Sequence, residues 1–236
     1  MRGTARRYGL KIDYWVDERR DPIKSTVAAA NLLKDLYEEF GDWYLAMAAY
    51  NAGSGKIRKA TRMTGSRDFW AIANTQYIRS ETKHYVPKLL AALILASNPK
   101  ANGFDCIPDN AYILPTSTVL VKKPLSLSQI SKHLGISVET LKTWNPEMLR
   151  TITPPVKGGY PLRISPNFLS KYDEVEAELY DSAVKTKDVV LHQIKRGESL
   201  FAIARRYKVG VKEIQAFNPQ LRPSGLQIGK EIAIPQ

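Results

Sequence analysis

Four glutamates, Glu18, Glu38, Glu39 and Glu81, are the residues of the first hundred that could act as general acids. A carboxyl group serves as an acid near neutral pH only where apolar surroundings raise its pKa. Glu18 stands in the charged turn Asp17-Glu18-Arg19-Arg20-Asp21, and Glu38-Glu39 lie on a helix flank, where solvent keeps them ionised. Asp17, Arg19, Arg20 and Asp21 read as a structural salt-bridge cluster. Cys106 is the single cysteine, which excludes an intrachain disulfide and leaves no cluster for zinc. Neither a metal nor a cofactor is expected.

A second feature with chemical meaning is a repeat. Residues 126–146, SLSQISKHLGISVETLKTWNP, align without a gap on 199–219, SLFAIARRYKVGVKEIQAFNP. Leu127 matches Leu200, Ile130 matches Ile203, Leu141 matches Ile214, and Trp144 matches Phe217. Both copies end in Asn-Pro, so each is one supersecondary unit. Taken alone, Gln129–Ser137 reads as a helix-turn-helix with Gly135 at the turn, and a net charge of +12 would suit DNA. The second copy argues against this, because Lys208 replaces the turn glycine and β-type runs flank both copies. No nucleic-acid partner is expected.

Periodicity supplies the elements that must hold these residues. Residues 1–100 read as helical. Ser25 or Thr26 caps a helix over Val27–Phe40, a second runs from about Asp42 to Tyr50 and stops at Asn51-Ala52-Gly53, and a third covers Glu81–Ala96. Trp43 and Trp70 read as core. Residues 101–118 are polar and form a linker. Each repeat copy has two short helices, 127–134 with 138–144 and 200–207 with 211–217. β-type runs enclose them: Val119–Lys122 and Tyr160–Pro166 for the first, Val189–Lys195 and Lys230–Pro235 for the second. Phe168–Lys185 reads as an exposed, acidic helical connector.

The predicted architecture is an α+β multidomain chain. It has a helical domain at 1–100, a linker at 101–118, a module at 119–166, a connector at 167–187 and a second module at 188–236. With 44% hydrophobic and 25% charged residues the composition is that of an ordinary soluble protein. No apolar run is long enough to span a bilayer, and no secretory leader is recognisable at the N-terminus.

Residues 188–235 resemble the LysM module. The resemblance rests on His192-Gln193-Ile194-Lys195-Arg196-Gly197-Glu198-Ser199-Leu200, on Ile203-Ala204, Tyr207 and Asn218-Pro219, and on Leu226, Gly229 and Ile232–Pro235. It implies a βααβ fold that binds N-acetylglucosamine-containing glycans in a groove between two loops. Gly197, Glu198, Ser199 and Leu200 would line it from the first loop, and Asn218, Pro219 and Leu226 from the second. The first copy has Lys123-Pro124-Leu125 in place of the Gly-acidic turn and an insertion around Thr151–Gly159, which makes it a degenerate relative.

Residues 1–98 resemble the lytic transglycosylase domain, a lysozyme-like helical fold that cleaves peptidoglycan. The match rests on Met1–Leu10, on Asp17–Pro22 with Ser25-Thr26, on Ala48-Ala49-Tyr50-Asn51-Ala52-Gly53 and on Glu81–Lys88. The whole chain is similar to the membrane-bound type D murein transglycosylases. The resemblance implies non-hydrolytic cleavage of the MurNAc-GlcNAc bond by one glutamate, which closes a 1,6-anhydro ring. This departs from the two-carboxylate scheme of most glycosidases. The family's acid falls upstream of Met1, so no glutamate here aligns with it, and the chain alone is expected to be inactive. Tyr50, Asn51 and Tyr85 would contact substrate. The implied partner is the GlcNAc/MurNAc strand, and the implied location is the periplasm or outer membrane, with anchoring through a region before Met1. Loss of preceding helices is expected to expose Leu32, Leu36 and Leu45. A non-catalytic peptidoglycan-binding protein is the alternative.

Overall fold

The computed structural model describes residues 2–104, 117–156, 158–181, 189–218, 221 and 226–235. Cys106 and Pro219 therefore lie outside the described residues. Among the described residues the architecture is α+β, with many helices and two separate two-stranded sheets. Two compact units are present. Ser25–Ile113 form one, and Met1–Lys24 group with Leu114–Gln236 in the other.

The chain opens with α1, Arg2–Arg7, and reaches α2, Pro22–Phe40, through a 3-10 turn at Glu18–Arg20. Helix α2 starts earlier than the predicted Ser25 or Thr26 cap. The Oδ1 atom of Asp21 accepts the Ile23 and Lys24 amides at 2.9 and 3.0 Å, and Pro22 suits a first-turn position that needs no amide.

In the helical unit α3, Trp43–Ala52, is capped by Asp42 and ends at Gly53, whose φ of 91° only glycine adopts easily. Helix α4, Ser54–Thr64, and α5, Phe69–Ala73, follow, with Asp68 capping α5. Helix α6 runs over Ser80–Ser97. Small residues at Ala46, Ala48 and Ala49 let α4 and α6 close on α3, around Leu36, Phe40, Leu45, Ile57, Phe69, Ile72 and Val86. Leu36 and Leu45 are thus buried and Leu32 is half-buried, contrary to expectation. Trp43 and Trp70 are not core, at 49% and 45% exposed. Each lies in a first helical turn at the surface, where Trp43 stacks on Tyr37 and Trp70 meets the edge of Tyr44.

In the other unit β1, Thr118–Val121, is followed by α7, Leu127–Leu134, and α8, Val138–Trp144. Strand β2, Tyr160–Arg163, pairs antiparallel with β1, with Val119 opposite Leu162. Helix α9, Leu169–Asp181, is not an exposed connector. Tyr172 and Leu179 are buried in the first module's core, and Lys171 Nζ caps α7 by donating to the Leu134 carbonyl at 3.0 Å. The second module repeats the plan with β3, Val189–Gln193, α10, Leu200–Tyr207, α11, Val211–Phe217, and β4, Glu231–Pro235. The turn argument against a helix-turn-helix does not survive. Lys208 adopts φ 57° where Gly135 adopts φ 74°, so the two turns share the left-handed conformation. The flanking sheets remain the distinguishing feature.

The Asn of each Asn-Pro pair has a structural task. Asn218 Nδ2 donates to the Ile214 and Ala233 carbonyls, both at 2.7 Å, while its Oδ1 accepts the Ala233 amide at 2.8 Å. Asn145 makes the same three bonds with Leu141 and Arg163. One side chain therefore joins the second helix to the closing strand in both modules.

Residues 12–21 bind the two modules together. Asp13 Oδ1 accepts the Trp15 and Val16 amides, and Ile12 pairs with Asp17, which makes a tight hairpin. Val16 bridges Met148, Asp17 N donates to the Glu147 carbonyl, and Leu149 N donates to the Trp15 carbonyl, both at 2.8 Å. The Trp15 indole, 2% exposed, donates to the Phe217 carbonyl at 2.8 Å. Asp17 and Arg19 pair as expected, whereas Asp21, 0% exposed, turns to the guanidinium of Arg163.

Replacing Asn218 with Ala should leave buried backbone groups without partners and lower stability by about 2–3 kcal/mol. A urea midpoint unchanged from the parent chain would contradict the stapling role.

Candidate functional site

Three of the residues singled out from sequence meet at one face of the helical unit. Tyr50 and Asn51 close the C-terminal turn of α3, and Tyr85 lies on α6, one turn after Glu81 and Thr82. Asn51 Oδ1 accepts the Thr82 hydroxyl at 2.8 Å, and its Nδ2 faces Glu81 Oε1 at a long 3.5 Å. Thr82 is buried, so it fixes the Asn51 amide plane and leaves the amino group directed outward toward Glu81. Burial, and after it the neighbouring Tyr50 phenol, push the Tyr85 hydroxyl above its ordinary value. Tyr85 is therefore a neutral donor at physiological pH.

Such a cluster orients hydroxyls and an amide, which suits sugar recognition, but it supplies no proton at pH 7. Thr82 was missed in the sequence, although it sits on the same helical face as Tyr85. The glutamates do not fill the gap. Glu18 accepts Lys24 Nζ and the Lys11 amide, both at 2.6 Å. Glu38 pairs with Lys34 and Glu39 with Arg58, while Glu81 is exposed. Among the described residues none of the four lies in an apolar pocket.

The predicted groove of the second module divides into exposed and inward-facing residues. Gly197, at φ 81°, and Ser199 are exposed, and Ser199 Oγ caps α10 by accepting the Ala202 amide. Glu198 is tied inward by the Lys195 amide at 2.9 Å, His192 Nε2 at 2.7 Å and Arg206 Nη1 at 2.6 Å. The backbone bond above all, then His192 and Arg206, lower its pKa from 4.5 to about 2. An ionised carboxylate can only accept, so His192 Nε2 carries the proton. In the neutral ring, Nδ1 then accepts the Tyr207 hydroxyl at 3.0 Å. Leu200 belongs to the core, Leu226 is half-buried against it, and Asn218 is 1% exposed with its side chain committed to Ala233 and Ile214. The open part of this turn is backbone and hydroxyl.

The geometry coincides with three family matches. The Transglycosylase SLT domain matches residues 1–73, the "Lytic transglycosylase MltD, LysM-like domain" matches 115–181, and the LysM domain matches 192–235. Membrane-bound lytic murein transglycosylase D of Escherichia coli (strain K12) is 32% identical over 244 residues, 98% of this chain and 52% of that protein. Together these matches support a chain of the membrane-bound lytic murein transglycosylase D type. The same protein from Escherichia coli O6:H1 matches equally. Membrane-bound lytic murein transglycosylase F of Maricaulis maris (strain MCS10) is 36% identical over 95 residues, 35% of this chain and 19% of that protein. The chain spans about half the length of the type D relatives. In the family match for the first module, the segment extends to residue 181 and takes in α9, in keeping with the packing of Tyr172 and Leu179.

Because the folded-state pKa of Glu198 is depressed, its contribution to stability is full above pH 4.5 and is lost as pH falls through about 2. Thermal midpoints across that window should fall more steeply for the parent chain than for Glu198→Gln. Parallel curves would show that the carboxylate is not held as described.

Proposed function

We propose that this chain binds the glycan strands of peptidoglycan and supplies part of the cleft of a lytic transglycosylase. The reading rests most on the meeting of Tyr50, Asn51, Thr82 and Tyr85 on one face of a helical unit, in a chain that also carries a LysM match. Tyr50 and Asn51 border the end where the glycosidic bond is cut, and Tyr85 contacts the sugar that bears the peptide. The chemistry is intramolecular attack of the MurNAc C6 hydroxyl, which yields a 1,6-anhydro sugar. Gly197, Glu198, Ser199 and Leu200 with Asn218, Pro219 and Leu226 form the glycan-binding face of the second module. Gly197 and Ser199 offer the contacts, and Glu198, Leu200 and Asn218 hold the shape.

The domain plan behind this is a transglycosylase region at 1–100, a degenerate module that starts at 119 and takes in helix α9, and a binding module at 188–236. A location in the cell envelope follows from the substrate, and the name of the type D relatives describes them as membrane-bound. No described helix is long and apolar enough to cross a membrane. One observation favours the second reading, a binder without catalysis. Glu18, Glu38 and Glu39 are ion-paired and Glu81 is exposed, so none is placed in the apolar surroundings that the reaction's general acid needs.

Purified sacculi should therefore retain the 236-residue chain without releasing anhydro-muropeptides detectable by mass spectrometry. Anhydro products that vanish with Glu81→Gln would overturn the assignment of no acid among these four. Retention on duplex DNA that is steep in salt and as strong as on chitin oligomers would favour the nucleic-acid reading instead.

A further inference from the structure

The two modules share a fold, yet among the described residues their first turns differ in exposure. In the second module, Gly197 and Ser199 are exposed. The matching turn of the first module, Pro124–Ser126, folds against the loop that follows α8. The Leu125 amide donates to Thr153 Oγ1 at 2.9 Å, and the Thr153 amide donates back to the Leu125 carbonyl at 2.9 Å. The Leu127 amide donates to the Thr151 carbonyl at 2.8 Å, and Ser126 bridges Ile152. Ile152 and Thr153 are buried. These main-chain groups are the ones a shallow saccharide site offers, and here they are already paired.

The loop that closes in the first module is the longer of the two. The stapling asparagine reaches its closing strand across 18 positions in the first module and across 15 in the second. Within the longer loop, Thr151–Thr153 fold inward against Leu125–Leu127. The remaining edge of that loop is also occupied. Residues 15–17 add to Glu147–Leu149 as a short strand, through Asp17 N to the Glu147 carbonyl, Leu149 N to the Trp15 carbonyl, and the Val16–Met148 bridge. Strand addition of this kind is a recognised mode of peptide capture. The Glu147 carboxylate is no freer, since it accepts the Tyr160 hydroxyl at 2.8 Å and Arg163 at 3.1 Å.

We propose that the first module is an intramolecular docking module. It holds residues 12–21 of its own chain along the loop where a relative would hold sugar, and Trp15 carries that grip on to the second module. The second module, where Gly197 and Ser199 stay exposed, is left to take the saccharide. This rests on the saccharide reading of the second module, and the experiment separates the two claims.

The full chain, labelled with 15N, is titrated with a soluble GlcNAc oligomer. Amide shifts are expected at Gly197–Leu200 and Leu226–Gly229, with none at Leu125–Leu127 or Thr151–Thr153. Saturable shifts in those two first-module segments would overturn the proposal. No shifts anywhere would remove the saccharide reading and still agree with a closed first module. Amide exchange then tests closure without ligand. Leu125, Leu127 and Thr153 should be protected, and fast exchange at them counts against the proposal. Trp15→Ala should speed exchange of the Asp17 and Leu149 amides by roughly tenfold or more, and Val16→Ala serves should that variant not fold. Unchanged exchange at both amides would refute docking by the hairpin.

Discussion

A buried indole N–H must find an acceptor, and in this protein the acceptor lies 202 residues away, on the carbonyl of Phe217. Much of the larger unit follows from that bond. Trp15 can reach Phe217 only if its hairpin is held, and Asp13 and the Glu147–Leu149 edge hold it. Tyr14 and Phe217 pack ring on ring beside it at 4.3 Å, with the Arg150 guanidinium 3.9 Å above Tyr14. The polar version of the same constraint recurs at Asp21. A fully buried carboxylate is tolerable only with full partnership, and Arg163 together with the first amides of α2 supplies it. The residue that starts α2 is also the residue that anchors the hairpin segment to strand β2.

The two asparagine staples show how one fold serves two ends. Each closes a βααβ module with three bonds from one side chain, so the module core forms whatever the loops do. Loop sequence is then free to diverge. With Gly197 and Ser199 the second module presents an exposed turn, and Glu198 is drawn inward to brace it. With Pro124, Leu125 and a longer return loop, the first module pairs its own edges. Divergence between copies is thus carried by a few loop residues over a common core.

Much of this was legible from residue order, and the remainder failed for physical reasons. The four repeat helices follow from apolar spacing, because Leu127, Ile130, Leu141 and their partners face one small core. Asn-Pro marked the module end, but its task depends on a strand well downstream. Asp21-Pro22 is a strong start signal that Ser25 and Thr26 obscured. Helix α9 looked solvated because its acidic residues dominate, although Tyr172, Val175 and Leu179 form a stripe at helical spacing. Of the sugar-binding candidates, Tyr50, Asn51 and Tyr85 converge, while the Thr82 hydroxyl that orients Asn51 gave no signal of its own. Trp15 was invisible as a keystone, since nothing local announces a partner so distant in sequence.

Through its bonds to Glu147–Leu149 and to Phe217, the hairpin makes one rigid body of the two modules. Rotational diffusion measures this directly. From 15N relaxation of amides in Val119–Arg163 and in Val190–Ile234, a single shared correlation time and orientation tensor is predicted. Two distinct correlation times, each suited to a module tumbling alone, would contradict the account.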